Sequence, residues 1–250
     1  MSPASENPQR PSRDRALERA AFPWSRVAGV LGLDPEEAEL ALRDEDRTRE
    51  AVLAASRAHL AADDDRRAGR VPDTAIAAHP DFPTGMGMSL IGAGVLWEVT
   101  DLVPQIALRV AKDHHEDGDE ELAASFAAMV AEFAQPPEDD AVAWAAQSLL
   151  VDVFTRAGSP DRADALARDL AAHAVPLDLW RDDDPALPDD SMAWHGGAFV
   201  EGMPPRRDGR ALTFEEAADY VDSLLTDSLR EREAEGEGDG TGDGPGERPA

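Results

Sequence analysis

From about Arg15 to Arg230 the apolar residues recur at helical spacing, and the strict alternation of a half-buried strand hardly appears. Arg15 to Leu31 reads as helical, with Pro23 opening a new segment. Asp34-Pro35-Glu36-Glu37 is a helix start: an N-cap acid, a proline at the first helical position, and carboxylates where the helix dipole is positive. The helix so begun runs to Leu60 or is split in two by the polar stretch Arg43 to Glu50. Asp63 to Pro83, with Pro72, Pro80, Pro83 and its acid clusters, predicts a loop. Next comes "FPTGMGMSLIGAGVLW" (Phe82 to Trp97), which predicts a buried helix over about residues 86–98 whose small residues Ser89, Gly92, Ala93 and Gly94 let a neighbour pack closely. Near the other end Thr213-Phe214-Glu215-Glu216 is a capping box. Ala217, Val221, Leu224 and Leu225 then mark an amphipathic helix to about Arg230. Residues 177–212, rich in Asp, Pro and Gly, are too long for an ordinary connector and read as a wrapping or a mobile segment.

Setting residues 101–140 over 141–180 pairs Gly118 with Gly158, Ala123 with Ala163, Ala127 with Ala167 and Pro136 with Pro176. Each copy reads as helix, glycine turn, helix and proline stop. In the second copy "AGSPDRADALARDLAAHAVP" (Ala157 to Pro176) has a turn at Gly158, a small residue at Ala163 where two helices approach, and a terminal proline. It resembles the second half of a tetratricopeptide repeat, with an offset of 40 residues where that family has 34. The resemblance implies stacked helical hairpins that bind partner proteins; it carries over no binding residues. The fold expected is therefore all-α: a single multi-helix domain over residues 13–230 with roughly seven to nine helices, including candidate hairpins at 101–140 and 141–180. A Pro/Ser/Asn arm (residues 1–12) and an acidic Gly-rich tail (residues 231–250) flank it as expected disordered termini.

Composition sharpens this picture. Apolar residues are 42% of the 250, much of that alanine, while aromatics are 5%, so the core is built of thin side chains that suit closely packed helices. Acids outnumber bases 52 to 24, a formal net charge of −28, which disfavours direct contact with nucleic-acid phosphates and anionic lipid. A GC-rich genome and a halophile are compatible sources of that bias, and Lys112 is the only lysine. There is no cysteine, which excludes disulfides, thiolate nucleophiles and Cys-type zinc sites. "MSPASENPQRPSRDR" lacks an apolar signal region, so a cytoplasmic location is the expectation.

Candidate chemistry is sparse. "GMGMSLIGAG" has no Lys-Ser/Thr after its glycines and no glycine at Leu90, so it is neither a P-loop nor a dinucleotide fingerprint. It is also too short to span a bilayer. "DHHEDGDEE" (Asp113 to Glu121) offers the metal candidates His114, His115 and Asp117. Consecutive histidines point about 100° apart on a helix, however, and sit naturally at a helix C-terminus before an acidic start. His79, His173 and His195 are scattered and read as surface or packing residues. The runs Asp63-Asp64-Asp65, Asp182-Asp183-Asp184 and Asp189-Asp190 resemble the magnesium-binding runs of prenyl-diphosphate enzymes, but beside prolines they read as solvated loops. "WHGGAFVEG" (Trp194 to Gly202) is similar to an esterase oxyanion-hole segment, with no G-x-S-x-G following it. "WSRVAGVLGLDPEEAELAL" (Trp24 to Leu42) resembles a helix-turn-helix whose second helix presents glutamates instead of base-reading side chains. The sequence thus assigns no catalytic residue and no cofactor. It points to an acidic helical adaptor that binds another protein. The alternatives are a helical small-molecule- or metal-dependent enzyme with a site near residues 86–121, and an acidic decoy or chaperone for a basic, nucleic-acid-binding partner.

Overall fold

The computed structural model of the chain describes residues 44–71, 76–135 and 137–194. The helix starts at Arg15 and Asp34, the helix-turn-helix-like stretch, the segment after Trp194, the capping box at Thr213 and both termini lie outside the described residues. Within them the protein is all-α, with six helices and one short 3-10 turn and no strand. In chain order these are α1 (Glu45–Arg67), α2 (Thr84–Trp97), α3 (Val103–Glu116), α4 (Glu120–Phe133), α5 (Asp140–Arg156), α6 (Pro160–Ala172) and the 3-10 turn Leu179–Arg181. No described helix is long and apolar enough to cross a membrane. The helices fall into two compact units divided between Asp113 and His114, within α3.

α1 begins within the polar stretch Arg43 to Glu50, so a single helix running on to Leu60 is not found: Asp44 is the N-cap of α1 and accepts from the Arg47 backbone N–H, with Glu45 and Asp46 in the first turn. In the first unit α1 lies against α2, where Val52, Ala93 and Trp97 form a buried cluster flanked by Leu96 and Val99. Arg49 fastens the same end, donating from Nε to the Trp97 carbonyl at 2.8 Å and pairing with Glu98 at 3.2 Å. α2 is the helix expected from its sequence. A Cβ added at Gly87 would sit 2.6 Å from Val110 Cγ2, and one at Gly94 2.8 Å from the Val99 carbonyl oxygen, so backbone approach is what these glycines permit. In the second unit α5 is central, packed by α4, α6 and the 3-10 turn. Alanines at 123, 124, 143 and 145 are fully buried around Trp144, Leu149 and Phe154, the thin-walled core that the composition implies.

Five of the six helices end in the same way. After α3, Gly118 takes φ +82, its N–H bonds the His115 carbonyl and the Asp119 N–H bonds the His114 carbonyl. After α5, Gly158 takes φ +74 with the matching pair of bonds, to Thr155 and from Ser159 to Phe154. This left-handed cap satisfies carbonyls that a helix end leaves open. α1 uses Gly69 in the same role, whereas α2 and α6 place Glu98 and Ala174 there, each at φ 57. In both glycine turns between α3 and α4 and between α5 and α6, the next residue is already the N-cap of the following helix.

Residues 177–194, the described part of the long irregular segment, wrap the second unit. The Trp180 backbone N–H donates to Ser148 Oγ at 2.9 Å. Trp144 Nε1 donates to the Met192 carbonyl at 3.1 Å, and the Met192 N–H donates to the His173 carbonyl. Trp194 then closes edge-on against Trp144, ring centroids 4.9 Å apart.

Candidate functional site

Two clusters of titratable side chains and one uncharged surface are the features from which a function can be built. The first cluster overturns an expectation. Asp63 to Pro83 does not begin as a loop: α1 continues to Arg67, and Asp63 is buried with 1% of its surface exposed. Helical spacing brings Arg66 and Arg67 round to it at i+3 and i+4. Their Nε atoms donate to Asp63 Oδ1 and Oδ2 at 2.7 and 2.8 Å, and Arg109 Nη1 on α3 reaches Oδ2 at 3.1 Å. The same two arginines donate through Nη2 to Asp113 Oδ1 at 3.0 and 2.7 Å, Thr84 Oγ1 from α2 donates to Asp113 Oδ2, and Arg109 also pairs with Asp64. Three guanidinium groups thus face three carboxylates between α1 and α3, and Thr84 ties α2 to the same network. Burial alone would raise the Asp63 carboxyl, but hydrogen bonds and charge from Arg67, then Arg66, outweigh it and hold the group down to about 2. One turn earlier on α1, His59 is buried edge-on to Phe82 and its Nδ1 has no hydrogen-bond partner among the described residues. Burial lowers its imidazole to about 4 against the pull of Asp63, with Arg109, Arg66 and Arg67 adding to the depression. Each Asp63 oxygen is bonded to guanidinium, so this carboxylate ties α1 to α3.

The second cluster contains the metal candidates. His114 and His115 end α3, as a histidine pair beside an acidic start should, but their rings diverge. His115 is fully buried, with Nδ1 2.6 Å from Glu120 Oε2 and its ring edge-on to Trp180 at 5.3 Å. Arg156 Nη1 completes that arrangement, donating to Glu120 Oε1 at 3.3 Å and to the His115 carbonyl at 3.0 Å. His114 stacks flat on Phe126, and its Nδ1 lies 3.9 Å from Asp119 Oδ2. Asp117 is exposed in the Gly118 turn. No three His, Cys, Asp or Glu side chains are placed to hold a metal ion among the described residues. Asp182, Asp183, Asp184, Asp189 and Asp190 are exposed in irregular chain, as solvated loops should be. His79 is partly buried beside Asp81, and His173 packs on Trp144. Of the two stretches in the enzyme alternative, residues 86–98 belong to the first unit, and residues 113–121 divide, with Asp113 in the first unit and residues 114–121 in the second.

The uncharged surface is on α2. Thr84–Trp97 carries no charged side chain, unlike the other five described helices. Its Met88 and Val95, seven residues apart and so on one face, are 40% and 41% exposed. A search of protein-family models, of curated proteins and of solved structures finds no match to this chain.

Proposed function

We propose that the protein is a non-catalytic, acidic helical interaction protein that binds another protein. The observation that carries this reading is the exposed, charge-free face of α2 on a chain in which 30% of residues are charged. Met88 and Val95 share one helical face with no charge between them, a surface that a partner helix can cover, whereas the more exposed Val71, Leu177 and Met192 lie in irregular chain. The clusters support the reading from the other side, because Asp63 and Glu120 spend their oxygens on arginine and histidine within the protein. Catalysis needs an acid, base or nucleophile turned towards a substrate, and neither group is so turned.

The test is affinity purification of the tagged protein from its own host at native salt, with mass spectrometry and stoichiometry of what accompanies it. A stoichiometric protein partner is the expected result. A strongly basic, nucleic-acid-binding partner shifts the reading to the decoy or chaperone. The absence of any stoichiometric partner, together with turnover of a small molecule, overturns it in favour of the enzyme.

A further inference from the structure

We propose that the α2 face bearing Met88 and Val95 docks an amphipathic helix of the partner, and that this helix carries basic residues at both ends of its apolar stripe. The inference rests on the interaction reading above and names the chemistry of what is bound. Met88, Gly92 and Val95 follow at i, i+4 and i+7, a single stripe about 11 Å long at the helical rise. Apolar helix faces are matched by apolar helix faces, with side chains of one entering the grooves of the other, and Gly92 places no side chain between Met88 and Val95.

Charge decides which helix. Asp81 stands before α2 with its side chain 45% exposed. Glu98, 50% exposed, and the exposed Asp101 follow the other end. The carbonyl end of a helix is itself partially negative, and α2 has no basic residue in its last turn. Arg49 answers part of this by binding Glu98 and the Trp97 carbonyl, whereas the exposed Asp101 has no hydrogen bond or ion pair of its side chain among the described residues. The stripe is therefore an uncharged strip on a helix about 21 Å long, with Asp81 before it and Glu98 and Asp101 after it. A helix with arginine or lysine at matching ends is attracted to both. A second copy of this chain would set the same carboxylates against one another, with −28 facing −28, so it is disfavoured as the occupant.

The probe is a fluorescein-labelled helical peptide of about five turns with a leucine stripe and arginines at both ends, titrated into the full-length protein; its control has glutamates at the ends. Expected is saturable binding of the arginine-ended peptide, at least about tenfold weaker for the control and for the double variant Met88→Asp/Val95→Asp. A photo-cross-linker in the leucine stripe should map to α2. Both residues are exposed, and the milder pair Met88→Ser/Val95→Ser, checked by circular dichroism, gives the same direction of change without adding charge. Equal binding to wild type and both variants, equal binding of the two peptides, or self-association lost in the variants overturns the proposal. If a host partner binds the variants as tightly as wild type, this docking face is wrong while the interaction reading stands. If no host partner exists yet the peptide behaves as expected, the surface is right and the interaction reading fails.

Discussion

Three guanidinium groups converge on the buried carboxylate of Asp63 in the first unit. Removing its carboxylate leaves Arg66, Arg67 and Arg109 with their charges and fewer partners, and breaking a buried ion network from one side is far costlier than losing an exposed pair. Asp63→Ala should therefore lower unfolding free energy in urea by about 3 kcal/mol, while Asp64→Ala, whose side chain is half exposed, should cost less than about 1 kcal/mol. A similar small loss for both would mean that the network contributes little. His59 adds a dependence on pH. Its folded value of about 4 lies below its ordinary 6.5, so as pH falls below 6.5 the unfolded chain takes up a proton that the folded chain refuses. Wild type should lose stability relative to His59→Gln at up to about 1.4 kcal/mol per pH unit across that window, levelling off once the folded form also protonates. Parallel pH profiles for the two proteins would remove the buried neutral imidazole from the account. Asp63 extends the loss to lower pH, its stabilisation being present above its ordinary 3.8 and gone as pH falls through about 2.

Helix ends carry the corresponding lesson for the elements. The shared left-handed cap accepts glycine without strain and any other residue at a cost. Ala174→Gly should stabilise the second unit by about 0.5–1 kcal/mol, and Gly158→Ala, with open space around the added Cβ, should destabilise it by about the same. Thermal unfolding of the two variants reads opposite signs; equal signs would show that packing, not the backbone angle, decides. The alignment of Gly118 with Gly158 was legible in sequence because glycine marks this angle by its identity, and both are left-handed. The caps at Glu98 and Ala174 were not legible, since nothing in those residue types announces a positive φ. The helix over α2 was legible from its uncharged run, whereas the exposure of Met88 and Val95 on one face of it was not. The acid run Asp63-Asp64-Asp65 was misread because prolines downstream suggested a loop, although the adjacent Arg66 and Arg67 give the i+3 and i+4 spacing of helical ion pairs. Arg109 and Asp113, more than 40 positions away, could be joined to that network only by the fold.

At the scale of the molecule the excess of acid governs the electrostatics. With 52 carboxylates against 24 cations, folding gathers like charge, and the penalty is relieved by counter-ions within a Debye length that shrinks from about 30 Å at 0.01 M salt to about 3 Å at 1 M. Thermal midpoints should therefore rise steadily with sodium chloride over that range, and collapse below molar salt would favour the halophile origin over codon bias; a flat response would show that local pairing already cancels the repulsion. The same arginine-for-lysine bias has a further outcome. The sole lysine, Lys112, lies in α3 with only 3% of its surface exposed. Arginine does not acylate under conditions that acylate an amine, so the folded protein presents no side-chain nucleophile of that class to solvent. Modification of Lys112 by an amine-reactive ester should then proceed only when α3 opens, and its rate, followed by peptide mapping against urea, becomes a clock for that opening built into the chain by a single residue. Labelling of Lys112 as fast in the native protein as in urea would show that the helix is open already.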